Sequence, residues 1–422
     1  MVNLSSMKIF FYKIGFNTFI QIFGKAISII LGFISVGLLT RYLGQEGFGN
    51  FTLVFVYLSF FGTLANFGLQ LTMVRDLAKK DKLPEEIYGT FFWLKIFLVV
   101  FATILAIILL VFFPYSRFLK IGIVIASIGV AIGILNNYGT VIFQANLRLD
   151  LVTLADVLTK VITILFIVLF VFLKRGFYSI LNTILIGNLA GAVLIIFLLK
   201  KFIPFNLKFS FNLAKKIIKK SIPIGFTSLF ALAYFKVDTL LLSVIRGTAE
   251  VGIYSLAYKV IENLLVLWGF YMATLYPLLS SLLSKRKTQE AWGLWRKSLL
   301  IALASSVIII IIGFAFAPFV IRVLGGKEFE ASVIVLRILL FSLPLFFVNN
   351  LFYHSFLLKE KIKFPLIAIG SSAIINLILN LIFIPRFGYI AAAFNFLITQ
   401  TCLLIFYLFF FKVASLYEEF KQ

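Results

Sequence analysis

The strongest constraint on this chain is a repeated run of apolar residues, each roughly 23–26 residues long. The runs fall at approximately 15–40, 50–74, 88–113, 119–143, 151–173, 177–200, 221–245, 252–277, 297–321, 331–355, 363–385 and 389–411. A hydrocarbon layer about 30 Å thick is crossed by about 20 helical residues, so every run is long enough to span it. None alternates polar with apolar residues as a barrel strand must. The expected fold is therefore an all-α integral membrane protein with about 12 transmembrane helices, neighbours antiparallel across short links. Composition agrees: 62% of residues are hydrophobic, 13% are charged and 52 are Phe. One soluble core could not hide that much apolar surface. The first run continues without the short core and small-residue cleavage site of a signal peptide, so it is expected to persist as a helix.

Orientation follows from lysine and arginine, which favour the cytoplasmic face. With the N-terminus inside, the inner segments collect Lys8 and Lys13, then Arg75, Lys79, Lys80 and Lys82, then Lys200 to Lys220, and later Lys285, Arg286 and Lys287. Lys359, Lys361 and Lys363, and finally Lys412 and Lys421, follow on the same side. The outer links are sparse in basic residues, so both termini are expected to be cytoplasmic in a multi-pass protein of the inner cell membrane. The net charge of +23 needs no nucleic acid, because anionic lipid of the inner leaflet is the nearer counter-charge. The longest basic stretch interleaves its lysines with Phe202, Ile203, Phe205, Leu207, Phe209 and Phe211, the pattern of a connector lying on a membrane surface. It divides the chain into an N-terminal six-helix lobe (1–203), a basic amphipathic linker (204–220) and a C-terminal six-helix lobe (221–422).

The two sides of that linker echo each other. After the first run the chain reads Gly49-Asn50-Phe51-Thr52-Leu53-Val54-Phe55; after the seventh it reads Gly252-Ile253-Tyr254-Ser255-Leu256-Ala257-Tyr258. Both are glycine, any residue, aromatic, hydroxyl, leucine, any residue, aromatic, about half the chain apart. Phe143 to Arg148 and Phe356 to Lys361 form a looser second echo. Two six-helix lobes enter from the same side, so the expected relation is a pseudo-two-fold along the membrane normal.

Ionisable groups at membrane depth are costly and are functional candidates by default. Lys95 and Arg337 sit near the ends of their runs and are expected to snorkel. Asp156 and Lys160 are one turn apart and can pair on one helix face. Asp238 and Lys259 lie at about the same depth, roughly 10 Å from the outer surface, so they are expected to meet across a hairpin, with Glu262 one turn deeper. A structural ion pair, substrate contact and a proton-coupling role are all open for that group. Lys236 lies about 200° around its helix from Asp238, so one of the two is expected to face away from a cleft. Lys25 has no acidic partner on its own helix, which suits water or an anion. Lys25, Lys160, Lys236 and Lys259 are thus the candidates for a positive cleft that receives phosphate; Asp238, Glu262 and Asp156 are the candidates for coupling or ion pairing. No catalytic constellation appears: phosphate loops and dinucleotide turns are missing, and a single histidine, His354, and a single cysteine, Cys402, exclude most triads and metal sites. Neither an enzyme nor a cofactor is expected.

Several short motifs carry a resemblance. In the first half they are Arg41-Tyr42-Leu43-Gly44 with Gly49, Phe67-Gly68-Leu69 and Val74-Arg75-Asp76-Leu77-Ala78. In the second they are Pro223, Val237-Asp238-Thr239-Leu240-Leu241, Gly252-Ile253-Tyr254, Tyr276-Pro277-Leu278, Asn376, Asn380 and Ile384-Pro385-Arg386-Phe387-Gly388-Tyr389. Over nearly its whole length the chain resembles the polysaccharide transporter family of O-antigen-type flippases, in the multidrug/oligosaccharidyl-lipid/polysaccharide exporter superfamily. That resemblance implies a two-lobed carrier moving a polyprenyl-linked oligosaccharide from the cytoplasmic to the outer leaflet, with sodium or protons as coupling ions and polymerase or glycosyltransferase partners. Asp238 matches a recurring position of the family. Two rivals are an ion-coupled multidrug exporter of the same superfamily, which would favour carboxylates over lysines, and a non-transporting membrane partner of a polymerase, which would gain nothing from unpaired buried charge.

Overall fold

A computed structural model describes residues 4–78, 84–203 and 207–414, without the side chains of 4–19, Ile22, Ala78 and Pro84. Lys79, Lys80, Lys82, Phe205 and Lys421, which entered the orientation and linker arguments, lie outside the described residues, as do the side chains of Lys8 and Lys13. All regular structure among the described residues is helical. The principal helices are α1 (Leu4–Asn66), α2 (Leu69–Ala78), α3 (Pro84–Leu109), α4 (Arg117–Ala145), α5 (Leu149–Phe172) and α6 (Phe177–Leu199). They continue with α7 (Phe211–Ile245), α8 (Thr248–Ser284), α9 (Thr288–Gly325), α10 (Ser332–Leu340), α11 (Ser342–Leu358) and α12 (Lys363–Val413).

Among the described residues nine helical stretches are long and apolar enough to cross a membrane, or ten if the bent pair α10–α11, with its 41° break, counts as one span. The expected count of about twelve is not matched helix for helix. Part of the reason lies in two glycines: α1 and α12 are each two helices joined across a kink, at Gly44 (φ 68°) or Gly388 (φ 55°), where the sequence placed breaks between its apolar runs. Positive φ is open to glycine at little cost, so the chain turns there without a loop. At Gly388 a side chain is also excluded by space, since a Cβ would lie 2.0 Å from Glu250 Oε2.

Contacts divide the chain into two compact units. One comprises Met1–Tyr42 and Val54–Leu229, the other Leu43–Leu53 and Phe230–Gln422. In the first unit, small residues let helix backbones approach closely, as membrane helices require where apolar burial gives no drive. Gly129 of α4 leaves 3.0 Å between a would-be Cβ and the Leu185 backbone of α6, and Gly187 of α6 faces Thr163 and Thr159 of α5. Asn188 Nδ2 donates to Gly129 O at 2.9 Å and Asn136 Nδ2 to Asn188 O at 2.9 Å, fixing the register of α4 on α6. The N-terminal turns of α7 belong here too: Leu213, Ala214 and Ile217 are buried on Leu69, Phe91 and Tyr138, while Lys215, Lys216 and Lys219 stay exposed. Phe211 to Lys220, expected as linker, is thus amphipathic but helical without interruption into the residues that follow.

The second unit packs on aromatic rings. Trp268 of α8 stacks on Phe347 of α11 at 4.6 Å, and Trp295 Nε1 of α9 donates to Ser355 Oγ of α11 at 2.9 Å. Leu43–Leu53 is seated in this unit, where the two glycines of the sequence echo meet. A Cβ on Gly49 would lie 1.7 Å from Thr248 O, and one on Gly252 would lie 2.2 Å from Gln45 O. Many large apolar side chains of both units point outward, among them Phe112, Phe172 and Val193, as lipid demands and water forbids.

Candidate functional site

Asp238 of α7 is fully buried. Tyr254 Oη of α8 donates to its Oδ2 at 3.0 Å, and Asn380 Nδ2 of α12 donates to its Oδ1 at 2.8 Å. The polar chain continues: Asn380 Nδ2 also donates to Asn376 Oδ1 at 2.9 Å, Asn395 Nδ2 to Asn380 Oδ1 at 2.9 Å, and Asn376 Nδ2 to Thr399 Oγ1 at 3.2 Å. Asn376, Asn380, Asn395 and Thr399 are all buried. Among the described residues no basic side chain pairs with Asp238. Neutral donors alone satisfy this carboxylate, an arrangement suited to a group that takes up a small cation or a proton.

The pairing of Asp238 with Lys259 expected across the hairpin is not the one found. Lys259 Nζ donates instead to Glu262 Oε2 at 3.0 Å. Depth estimates give height along a helix but not direction around it. Tyr254 and Lys259 are five positions apart, about 140° around α8; the tyrosine face meets Asp238 and the lysine turns away. Lys236 also faces away from Asp238, as the 200° offset requires. Its ammonium donates to Glu262 Oε1 and lies 4.7 Å from the centroid of the Tyr258 ring. One glutamate therefore serves two lysines, with side-chain exposures of 21% for Lys236, 27% for Glu262 and 48% for Lys259. The cluster keeps one positive charge in excess and presents it through Lys259.

In the first unit, Lys160 Nζ pairs with Asp156 Oδ2 at 3.0 Å, as the one-turn spacing requires. Ser28 Oγ of α1 donates to the same oxygen at 2.7 Å, where Gly24 lets α1 come close to Thr153 of α5. Lys25, one turn before Ser28, is exposed, and among the described residues no ion pair or hydrogen bond involves it. Lys95 does not snorkel. It is 6% exposed and its ammonium donates to Asn66 Oδ1, because α1 ends beside it and supplies a carboxamide. Arg337 is half-buried, its guanidinium 4.4 Å from the centroid of the Phe314 ring.

Sequence reading missed most of the amide chain. Asn376 and Asn380 entered only as motif letters, and Asn395 and Thr399 not at all. The signal was available: amides one turn apart within apolar runs are costly in lipid unless they find hydrogen-bond partners.

Helices that bury amides and charges in two units while facing apolar side chains outward define a multi-pass membrane protein. The family described as Polysaccharide biosynthesis protein matches residues 14–283, and the MatE family matches 223–382. The chain belongs to the polysaccharide biosynthesis protein family, within the exporter superfamily that the sequence motifs resembled. It is 24% identical over 352 residues to a putative O-antigen transporter of Shigella flexneri, covering 79% of this chain and 82% of that one. It is 25% identical over 281 residues to the capsular polysaccharide biosynthesis protein CapF of Staphylococcus aureus, covering 64% and 69%. Its fold is similar to the inward closed conformation of the lipid II flippase MurJ, with a TM-score of 0.75 and 17% identity over 93% of this chain and 87% of that one.

Proposed function

We propose that this protein is a flippase that moves a polyprenyl-(pyro)phosphate-linked oligosaccharide from the cytoplasmic to the outer leaflet of the inner membrane, for cell-surface polysaccharide biosynthesis, with both termini cytoplasmic. The observation that carries this reading is the shared Glu262: two lysines at membrane depth, one acid between them, and a positive excess offered through the half-exposed Lys259. Lys25 and Lys160 offer positive charge from the first unit. Phosphate is the anion that such ammonium groups hold while a sugar passes. The relatives in Shigella and Staphylococcus, one described as an O-antigen transporter and the other as a capsular polysaccharide protein, support a sugar cargo. A multidrug exporter, to which the MatE match is the pointer, would need a carboxylate excess for cationic drugs; here the accessible charge is positive.

Asp238 is the coupling group in this reading. The oxygens of Asp238, Asn376, Asn380 and Thr399 are hard donors fit for sodium, and the carboxylate alone is fit for a proton. Binding of either neutralises the buried charge and changes what the amide chain can satisfy.

Reconstitution into liposomes with a fluorescent polyprenyl-pyrophosphate sugar, read by quencher accessibility, tests the proposal. Lys25→Ala and Lys259→Ala should each slow flipping at least about tenfold, about 1.4 kcal/mol of barrier, while Lys25→Arg retains part of the rate. Wild-type speed in a folded variant with Lys25, Lys160, Lys236 and Lys259 all neutralised would reject the anionic mechanism.

A further inference from the structure

Lys95 is the buried ammonium that the proposed transport mechanism does not use. Among the described residues no acid pairs with it, and its hydrogen bond goes to a neutral carboxamide, Asn66 Oδ1. An ammonium has three N–H donors, so two remain. It lines a small cavity together with Leu69, Gln70, Phe91, Asn137 and Tyr138, with room for about one water-sized guest. Gln70 is exposed, but the carboxamide of Asn137 is partly buried and has no hydrogen-bond partner among the described residues, so it brings an NH2 group that is unspent. Leu69 and Gln70 are also the first two residues of α2, whose N-terminus follows the positive-φ pair Phe67 (27°) and Gly68 (76°). The start of a helix carries partial positive charge.

A buried cation, an unpaired amide and a helix start thus converge on one cavity. Each can donate to a negative charge, and among the described residues no carboxylate supplies it. We infer that this cavity binds a single small monovalent anion of halide type, which neutralises Lys95 inside the first unit. Phosphate of the lipid carrier is too large for a guest of this size, so the site is distinct in chemistry from the lysines of the transport reading. Tyr138 completes the wall but donates elsewhere, its Oη to Tyr88 O at 2.9 Å.

The test is thermal unfolding of the purified full-length protein in sodium chloride, sodium bromide and sodium gluconate at equal ionic strength. The wild type should show a saturable rise in melting temperature with either halide, as binding to the folded state alone requires, and no such rise with gluconate. Lys95→Met should lose the rise. If that variant does not fold, Asn137→Leu, which keeps the lysine and fills the cavity, decides the matter by weakening the apparent halide affinity at least about tenfold. A wild type indifferent to halide, or a halide response unchanged in Asn137→Leu, would overturn the inference whatever the outcome for flipping.

Discussion

The two units treat charge at membrane depth in opposite ways. In the second, Asp238 sits inside a continuous run of amides and hydroxyls, and Glu262 holds Lys236 and Lys259 together. In the first, Asp156 and Lys160 pair with side chains that are 49% and 34% exposed, and among the described residues Lys25 has no partner and Lys95 is buried with no acid. A buried polar group is expensive unless every partner is present, and a satisfied network is correspondingly rigid. The second unit therefore holds most of its charge within a satisfied polar network and offers only Lys259 outward, whereas the first keeps Lys25 available to something that is not protein. Removing a charge should accordingly hurt the second unit much more than the first.

The largest effect is expected at Asp238. Asp238→Leu leaves the Tyr254 hydroxyl and one of the two N–H donors of the Asn380 amide without an acceptor in a dry interior, at about 1–3 kcal/mol for each orphaned donor. Asp238→Asn keeps an acceptor for Tyr254 and should fold, but it removes the charge that a coupling cation needs. Melting of detergent-purified variants measures the first effect, and flipping with and without a sodium gradient, at two pH values, measures the second. A leucine variant as stable as wild type would show that the amide chain is not a scaffold. Ion-dependent flipping retained by the asparagine variant would move the coupling site elsewhere.

Next comes Glu262→Gln. Two lysines would then share a neutral amide, and breaking a buried pair costs about 3–5 kcal/mol. Because the three side chains keep 21–48% exposure, the low end of that range or less is expected, about 2–3 kcal/mol. Adding Lys236→Met should recover part of the loss, since one uncompensated cation disappears with it. A double variant less stable than Glu262→Gln alone would mean that Lys236 contributes through its contact with the Tyr258 ring more than through its charge.

These regions were not equally legible in the sequence. Contacts within one helix could be read from spacing: Asp156 with Lys160, and Lys259 with Glu262, are one turn apart on a common face. Contacts between helices depend on rotation, which depth along an apolar run does not encode, so Tyr254 rather than Lys259 reaches Asp238. Lys95 was misplaced for a related reason. Its partner Asn66 stands where α1 ends, and that end is set by the backbone of Phe67 and Gly68 rather than by a charged or proline break. The kinks at Gly44 and Gly388 fall where the apolar runs break, but each turns on a single residue of unusual φ where a short link was expected. The glycine echo was visible as a pattern, but nothing in one sequence said that Gly49 and Gly252 would face each other.

The smallest effect belongs to Asp156 in the first unit. Exposed ion pairs one helical turn apart contribute about 0.3–0.5 kcal/mol and exposed pairs in general about 0.2–1 kcal/mol. Asp156→Asn leaves an oxygen to accept from Ser28, so the crossing of α1 on α5 at Gly24 keeps its hydrogen bond and only the attraction of Lys160 is lost. Stability should fall by less than about 1 kcal/mol, and the loss should shrink further in high salt because both side chains are accessible to screening ions. Lys160, released from its acid, stays positive and free to meet phosphate, so flipping should be unchanged or faster. Melting across a salt series, beside Glu262→Gln, makes the measurement. A drop as large as the one at Glu262 would abolish the distinction between the units, because it would show that Asp156 is held as tightly as the acid that binds two lysines.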